Sequence, residues 1–491
     1  MSRKFVIFVI SLLCLSSCLG EEDFSSSSSD RLSFGDVDTL AFDTLISGVG
    51  SHTQTFLVFN PNKKAIRLRD VHLEKGGRSA FRVNVDGSFL HDGQGGGYEI
   101  LGEDSLRVFV EVTAPITDQD APLDVTDKLI FVTEGGVTQN VVLTAYGQDV
   151  IQLNALIINE NTTLDKKRPY QILDSLVVAK NTTLTIEKGV RLYFHPEAKL
   201  IVHGTLKCKG ELGNEVEMRG DRLGNMFDNQ PYDRIPGQWG GVILTDESVD
   251  NELNFTNLHS SDFGIQCDSS STNVVKLTLE NSTIHNVVGS ALYAKNCQIW
   301  VGNCQISNAG ENCVEIYGGY STFVQCTIAQ FYSFIGSDYG EALVFQNFDG
   351  ESRLPIDQLY FYNCLITGFK NDEIMGSANE NFPDDEFNYY FQNCLMCTPK
   401  YEDESGRLDG CIFDEENKDY CGEKNFWPLF DYDKLIFTFY LHPKSSAIDH
   451  ANRTAAQLYP NDRNGVSRFL DDCADIGCFE QTNHEIPDQT N

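Results

Sequence analysis

Asn281-Ser282-Thr283-Ile284 is followed by Asn303-Cys304-Gln305-Ile306, then by Gln325-Cys326-Thr327-Ile328. Asn363-Cys364-Leu365-Ile366 and Asn393-Cys394-Leu395-Met396 continue the pattern. The steps are 22, 22, 38 and 30 residues. A period of about 20–25 residues marks a unit that cannot bury its apolar face alone and stacks on its neighbours. The longer steps are the same coil with loops inserted. Coils of extended chain stack at the interstrand spacing of about 4.8 Å, and residues 150–481 have room for on the order of ten of them.

This register places the cysteines. Ser282, Cys304, Cys326, Cys364 and Cys394 share one position of successive coils, and Ala291 and Cys313 share a second, with Cys267 near it. Stacked identical positions point inward, where small polarizable side chains fit. The pattern therefore predicts a column of free thiols. Asn281, Asn303, Asn363 and Asn393 are expected to form an amide ladder at a coil bend. Cys394 and Cys397 are the one CxxC pair and lack the second pair that a zinc site needs. Cys411, Cys421, Cys473 and Cys478 fall outside the register, and Cys473 with Cys478 is the disulfide candidate.

The strands leading into the repeat alternate and are punctuated by glycine. Leu184-Thr185-Ile186-Glu187-Lys188-Gly189-Val190 is one, and Val202-His203-Gly204-Thr205-Leu206-Lys207-Cys208-Lys209-Gly210 another. These runs resemble the opening coils of right-handed parallel β-helices of the pectin-lyase type. The resemblance implies the fold and no particular reaction. Ser446-Ala447-Ile448-Asp449, then Asp462, Gly465, Arg468 and Asp475 to Glu480, resemble the closing segment of secreted β-helix proteins. On that reading they cap the last coil, with Arg468 paired to Asp449 or Asp475.

Residues 31–149 have a different texture. Phe56 and Val58, Phe81 to Val85, Leu106 to Val112, Leu129 with Phe131, and Val141 with Leu143 alternate in and out, with turns at Asn60-Pro61 and Asp86-Gly87. About seven strands in this length predict an immunoglobulin-like sandwich. The fold class is therefore all-β: a sandwich over 31–149, a parallel β-helix over 150–481 and a tail over 482–491.

The N-terminus reads as an address. Arg3 and Lys4 precede an apolar run too short to span a membrane, and Leu15-Ser16-Ser17-Cys18 follows. This resembles a bacterial lipobox, which implies a signal peptide over 1–17 and lipidation of Cys18. Residues 18–30 are acidic and Ser-rich, which predicts a flexible tether. Glu21-Glu22-Asp23 after the lipidated Cys resembles the export signal of Bacteroidota-type surface lipoproteins. Together these imply an outer-membrane, lipid-anchored protein exposed at the cell surface, touching the membrane through its lipid alone.

The chain carries 71 acidic and 37 basic residues in 491, a formal charge of -34. That balance argues against a nucleic-acid partner, whose phosphates need clustered Lys and Arg. The charge is uneven: residues 246–491 hold 39 acidic and 13 basic side chains. Within them, Asp384, Asp385, Glu386, Tyr389, Tyr390 and Trp427 combine carboxylates with rings. Rings stack on sugars and carboxylates bind hydroxyls, so these six are the candidate ligand residues, with a polysaccharide or glycan as partner. Paired carboxylates also open glycoside hydrolysis or polysaccharide lysis as the alternative activity. A structural or adhesive surface protein is the third reading. The residues name no catalytic group, HExxH, GxSxG and Walker motifs are missing, and no cofactor is expected, with calcium the one metal the acidic loops could take.

Overall fold

The computed structural model describes residues 23–227, 230–334, 339–401, 403, 405–417, 419–428, 430–470 and 473–482. The signal peptide, Cys18 and the last residues of the tail lie outside them. Strand makes up 48% of the chain and helix 4%, so the protein is all-β. It divides into two compact units between Asp149 and Val150.

The first unit is built from two sheets. Thr39–Ile46 runs parallel to Thr138–Gln148, which pairs antiparallel with Leu123–Thr133, and that with Ile66–Leu73. The second sheet orders Gln54–Phe59, Ser105–Val112, Phe81–Val85 and Ser88–Phe89. Alternate residues from both sheets, such as Leu68, Phe131 and Leu143 with Val58, Val83 and Val108, share one buried core. Asp86 (φ 48°) and Gly87 (φ 82°) form the two-residue hairpin between Val85 and Ser88. Of the tether expected over 18–30, the described residues from Asp23 onward lie against the first unit. Phe24 bridges Ala65, the Ser25 N–H donates to the Ala65 carbonyl (2.8 Å), and the Arg67 guanidinium lies 3.9 Å from the centre of the Phe24 ring.

The second unit is a stack of coils with three strand tracks. One track is an eleven-stranded parallel sheet, from Ile151–Leu153 through Thr283–Val287, Gln305–Ala309, Thr327–Gln330 and Leu365–Gly368 to Ile412–Phe413. The other two tracks belong to a seventeen-stranded sheet that is parallel throughout the stack. Registers follow the repeat: Ile284, Ile306, Ile328, Ile366 and Met396 pair in succession. The long steps contain the hairpin Phe348–Asp349 with Ser352–Arg353, and the loop 378–386.

The bend before each of these strands explains the Asn-Cys dipeptide. Asn281, Asn303, Gln325, Asn363 and Asn393 all have φ between 48° and 55°. Asn tolerates this left-handed region better than other residues with a side chain. The amide ladder is shorter than the pattern predicts. Asn303 Nδ2 donates to Asn281 Oδ1 and Asn281 Nδ2 to Asn254 Oδ1, both at 2.8 Å. Below that point the C-terminal segment takes over as partner. Gln325 donates to the Asp475 carbonyl, Asn363 to the Asn452 carbonyl and Asn393 to the His450 carbonyl. Residues 450–470 and 473–480 thus run beside the bends of several coils, which corrects the expectation of a cap over the last coil alone. Arg468 pairs with Glu480 (2.6 Å), not with Asp449 or Asp475. Gly302 makes room for this segment, since a Cβ there would fall 1.8 Å from the Tyr459 hydroxyl.

Cys304, Cys326, Cys364 and Cys394 are free, buried and stacked. Each thiol faces the carbonyl two residues back, at 3.1 to 3.5 Å. Cys411 joins the column, with its thiol on the Phe391 and Asp409 carbonyls, which corrects its placement outside the register. Cys267 pairs in register with Ala294, so it stands in a different column from Ala291 and Cys313. The disulfide candidate is corrected too: Cys473 and Cys478 are free thiols, one exposed and the other fully buried. Cys478 packs against Phe426, Phe439 and Ile476 while its N–H donates to Thr327 Oγ1. Burial raises the Cys208 and Cys478 thiols to about 12, so neither ionises at neutral pH. Alkylation of the denatured, unreduced chain is expected to modify Cys304, Cys326, Cys364 and Cys394 individually. Disulfide-linked peptides among them would contradict the column.

Candidate functional site

The middle track of the second unit carries two ladders that alternate along its strands. Inward, Leu279, Val301, Phe323, Phe361 and Phe391 stack in register. Outward, Thr278, Trp300, Thr322, Tyr360 and Tyr390 do the same. Two residues earlier on the same strands stand Gln298, Tyr320 and Gln358. The alternation is that of any strand, so a buried Phe column and a surface Trp/Tyr column are one pattern read on two faces.

Of these outward residues Thr278, Trp300 and Thr322 line a groove of about 300 Å³ with Val275, Gln298, Tyr320 and Gln358, while Tyr360 and Tyr390 continue the column outside it. The rings are held from behind. Trp300 Nε1 donates to the Tyr459 hydroxyl (2.8 Å), which donates to Glu280 Oε1 (2.7 Å). The Tyr360 ring lies 5.9 Å from that of Tyr390, edge to face. The Tyr390 hydroxyl donates to Asp409 Oδ2 (3.0 Å), which also accepts from Gln392 (2.8 Å). Burial and the neighbouring Asp409 push the Tyr390 phenol up to about 12, so it stays protonated. The Gln358 amide donates to Thr322 Oγ1 (3.0 Å), and its carbonyl oxygen is left to accept from a ligand. The nearby carboxylates, Glu280 and Asp409, already accept hydrogen bonds from phenols. The face therefore offers ring surfaces, amides and hydroxyls, which suit binding more than proton transfer.

The six residues singled out by composition do not come together. Asp384 is exposed in the 378–386 loop. Asp385 accepts from the Arg353 guanidinium through both oxygens, which holds its pKa below the usual carboxylate range and removes it as a general acid. Glu386 accepts from Asn388 (2.6 Å). Tyr389 and Tyr390 are adjacent in the strand Phe387–Gln392 and so point to opposite faces. Tyr389 packs inward against Phe345, and Tyr390 alone stands on the aromatic face. Trp427 lies in the C-terminal segment, edge-on to His442. The residues missed were Trp300, Tyr320, Tyr360, Gln298 and Gln358. Their signal was the repeat itself: Thr278, Trp300, Thr322, Tyr360 and Tyr390 each sit three residues before the bend amide.

Among the described residues no three His, Cys, Asp or Glu side chains form a metal-holding group. Among them, too, no helix is long and apolar enough to cross a membrane. No protein-family model matches the chain, and no curated protein does. Among solved structures, a PapD-like domain of human CEP192 is similar over 28% of this chain and 96% of that one. The identity is 10% and the TM-score 0.18, a likeness that carries no argument about fold or function.

Proposed function

We propose that the protein is a cell-surface lipoprotein whose coil stack binds polysaccharide through the outward face of its middle track. In this reading Cys18 carries the lipid in the outer membrane of a Bacteroidota-type cell. The first unit is an immunoglobulin-like spacer, and the second is a right-handed parallel β-helix of the pectin-lyase type. The observation that carries the binding role is the in-register column of Trp300, Tyr360 and Tyr390, whose Trp300 end lines a groove with Gln298, Tyr320 and Gln358. Rings in line along a rod match a linear polymer, whose sugar faces repeat along one direction, and half-buried rings lose little side-chain entropy on binding. The engagement of Glu280, Asp385 and Asp409 by Tyr459, Arg353 and Tyr390 favours binding over hydrolysis.

A glycan array with the lipid-free chain tests this, with reducing-end assays alongside. Binding without new reducing ends is the expected result. Trp300→Ala and Tyr390→Ala are expected to weaken it by about tenfold each, the usual size of an aromatic anchor. Silence on the array, or binding that both variants leave intact, would remove the aromatic face as the site. Release of reducing ends would replace binding with hydrolysis.

A further inference from the structure

The aromatic column has a direction and a spacing. Glu252, Thr278, Trp300, Thr322, Tyr360 and Tyr390 pair in succession on six coils. Coils advance by about 4.8 Å, so the column covers about 24 Å along the stacking direction. Two cavities follow the same line and share Thr278. The groove of about 300 Å³ runs from it toward the later coils, and a cavity of about 510 Å³, lined by Glu252, Leu253 and Glu280, runs toward the earlier ones. A ligand that fills both lies along the stack, not around one coil.

The advance per coil selects the linkage. It is close to the length of one pyranose in a chain joined through equatorial bonds, which stays extended. Such a chain sets one sugar on each coil. A chain with an axial bond at each link curves and leaves the column after a coil or two. Successive sugars of the extended chain are turned over, so both sugar faces meet the protein in alternation. The stacking rings are Trp300 and one of the two tyrosines, since Tyr360 and Tyr390 meet at 75° and cannot both lie flat under one ribbon. Stacking needs C–H faces, and a pyranose has them on both sides when every hydroxyl is equatorial.

Charge selects against a polyanion. The paired segments 275–280, 298–302, 320–324, 356–362 and 387–392 hold one cation, Lys276, whose amine is buried on the Thr245 and Ser248 carbonyls. Glu211, Glu252 and Glu280 line the larger cavity against the one cation Lys209, itself 3.7 Å from Glu187. A uronate on this path would face carboxylates.

We infer that the polymer is a neutral β-1,4-linked chain of all-equatorial, glucose-type sugars, laid along the stack with one sugar per coil. The inference rests on the binding role proposed for the aromatic face and names the polymer that face takes. Calorimetric titration of the intact chain with cellobiose and cellohexaose tests it, beside maltohexaose, mannohexaose and β-1,4-linked hexaglucuronate. These three differ from cellohexaose in linkage, in one axial hydroxyl per sugar and in charge. Cellohexaose is expected to bind at least about tenfold tighter than each of the other four, and Trp300→Ala and Tyr390→Ala to weaken it by about tenfold each. Those two positions stand three coils apart, so one chain reaches both only along the stack. Cellobiose or any of the three other hexamers matching cellohexaose, cellohexaose failing to bind, or cellohexaose binding that either variant leaves intact would each overturn the inference. If another glycan then binds through Trp300 and Tyr390, the aromatic face stands and only the polymer is wrong. If no glycan binds through them, the face itself fails.

Discussion

Replacing Arg468 with methionine is expected to destabilise the second unit by about 3–5 kcal/mol, the usual loss when one member of a buried ion pair is removed. Arg468 is fully buried. Its guanidinium donates to Glu480 Oε1 (2.6 Å) and to Asn303 Oδ1 (2.7 Å). The substitution leaves Glu480 buried without its cation and Asn303 Oδ1 without that donor. Burial already raises the Glu480 carboxyl to about 7, against the pull of Arg468, and losing Arg468 raises it further. An acid whose folded pKa lies above its unfolded value destabilises the fold as pH rises between the two. The loss is therefore expected to be larger at pH 8 than at pH 5. The double variant Arg468→Met with Glu480→Gln should recover part of it, since Glu480 then carries no buried charge. Urea unfolding monitored within residues 150–482 measures both. A single-variant loss below about 1 kcal/mol, the surface-pair range, would show that the pair holds nothing together.

The same pair shows where reading the sequence stopped short. Arg468 stood out as a buried cation, but its partner came from 12 residues on and its second contact from coil 303, far away in sequence. Local pattern carries no information on such a meeting. What the pattern did carry was anything that repeats. The bend amides, the thiol column and the coil period follow from one register, because stacking forces equivalent residues into equivalent environments. The aromatic face was equally legible, three positions before each bend amide, yet composition drew attention instead to Asp384, Asp385 and Trp427. Those residues sit in an insertion and in the C-terminal segment, where no repeat constrains them. The flank taken up by residues 450–470 and 473–480 was not legible either. Asn363 and Asn393 look like Asn281 in sequence, and their amides are claimed by backbone carbonyls of a segment with no repeat of its own.

Truncation of Phe361 to alanine is expected to cost about 3–5 kcal/mol, the range for deleting a buried aromatic ring. Phe361 is fully buried, and its ring lies 4.7 Å from Phe323 on one side and 4.7 Å from Phe391 on the other, tilted by 10° and 4°. Removing the middle ring strips both neighbours of a stacking partner, and two hydrogen-bonded strands hold their rings too far apart to close the gap. Phe361→Leu refills most of the volume and should lose markedly less. The spatial reach of the damage is the sharper test. Each coil touches only the coils beside it, so stability is approximately a sum of coil and interface contributions. Hydrogen exchange should therefore quicken in Val314–Val324, Ile356–Tyr362 and Phe387–Gln392, and stay unchanged in the early strands Ser175–Val178 and Lys199–Val202. Because Phe361 and Tyr360 are adjacent on one strand, the loosened strands also carry Tyr360 and Tyr390 outward. Glycan binding should then weaken in Phe361→Ala without any change to a residue that faces the groove. Uniform exchange through the whole stack would instead mean that it unfolds as one cooperative body, with Phe361 acting on all of it.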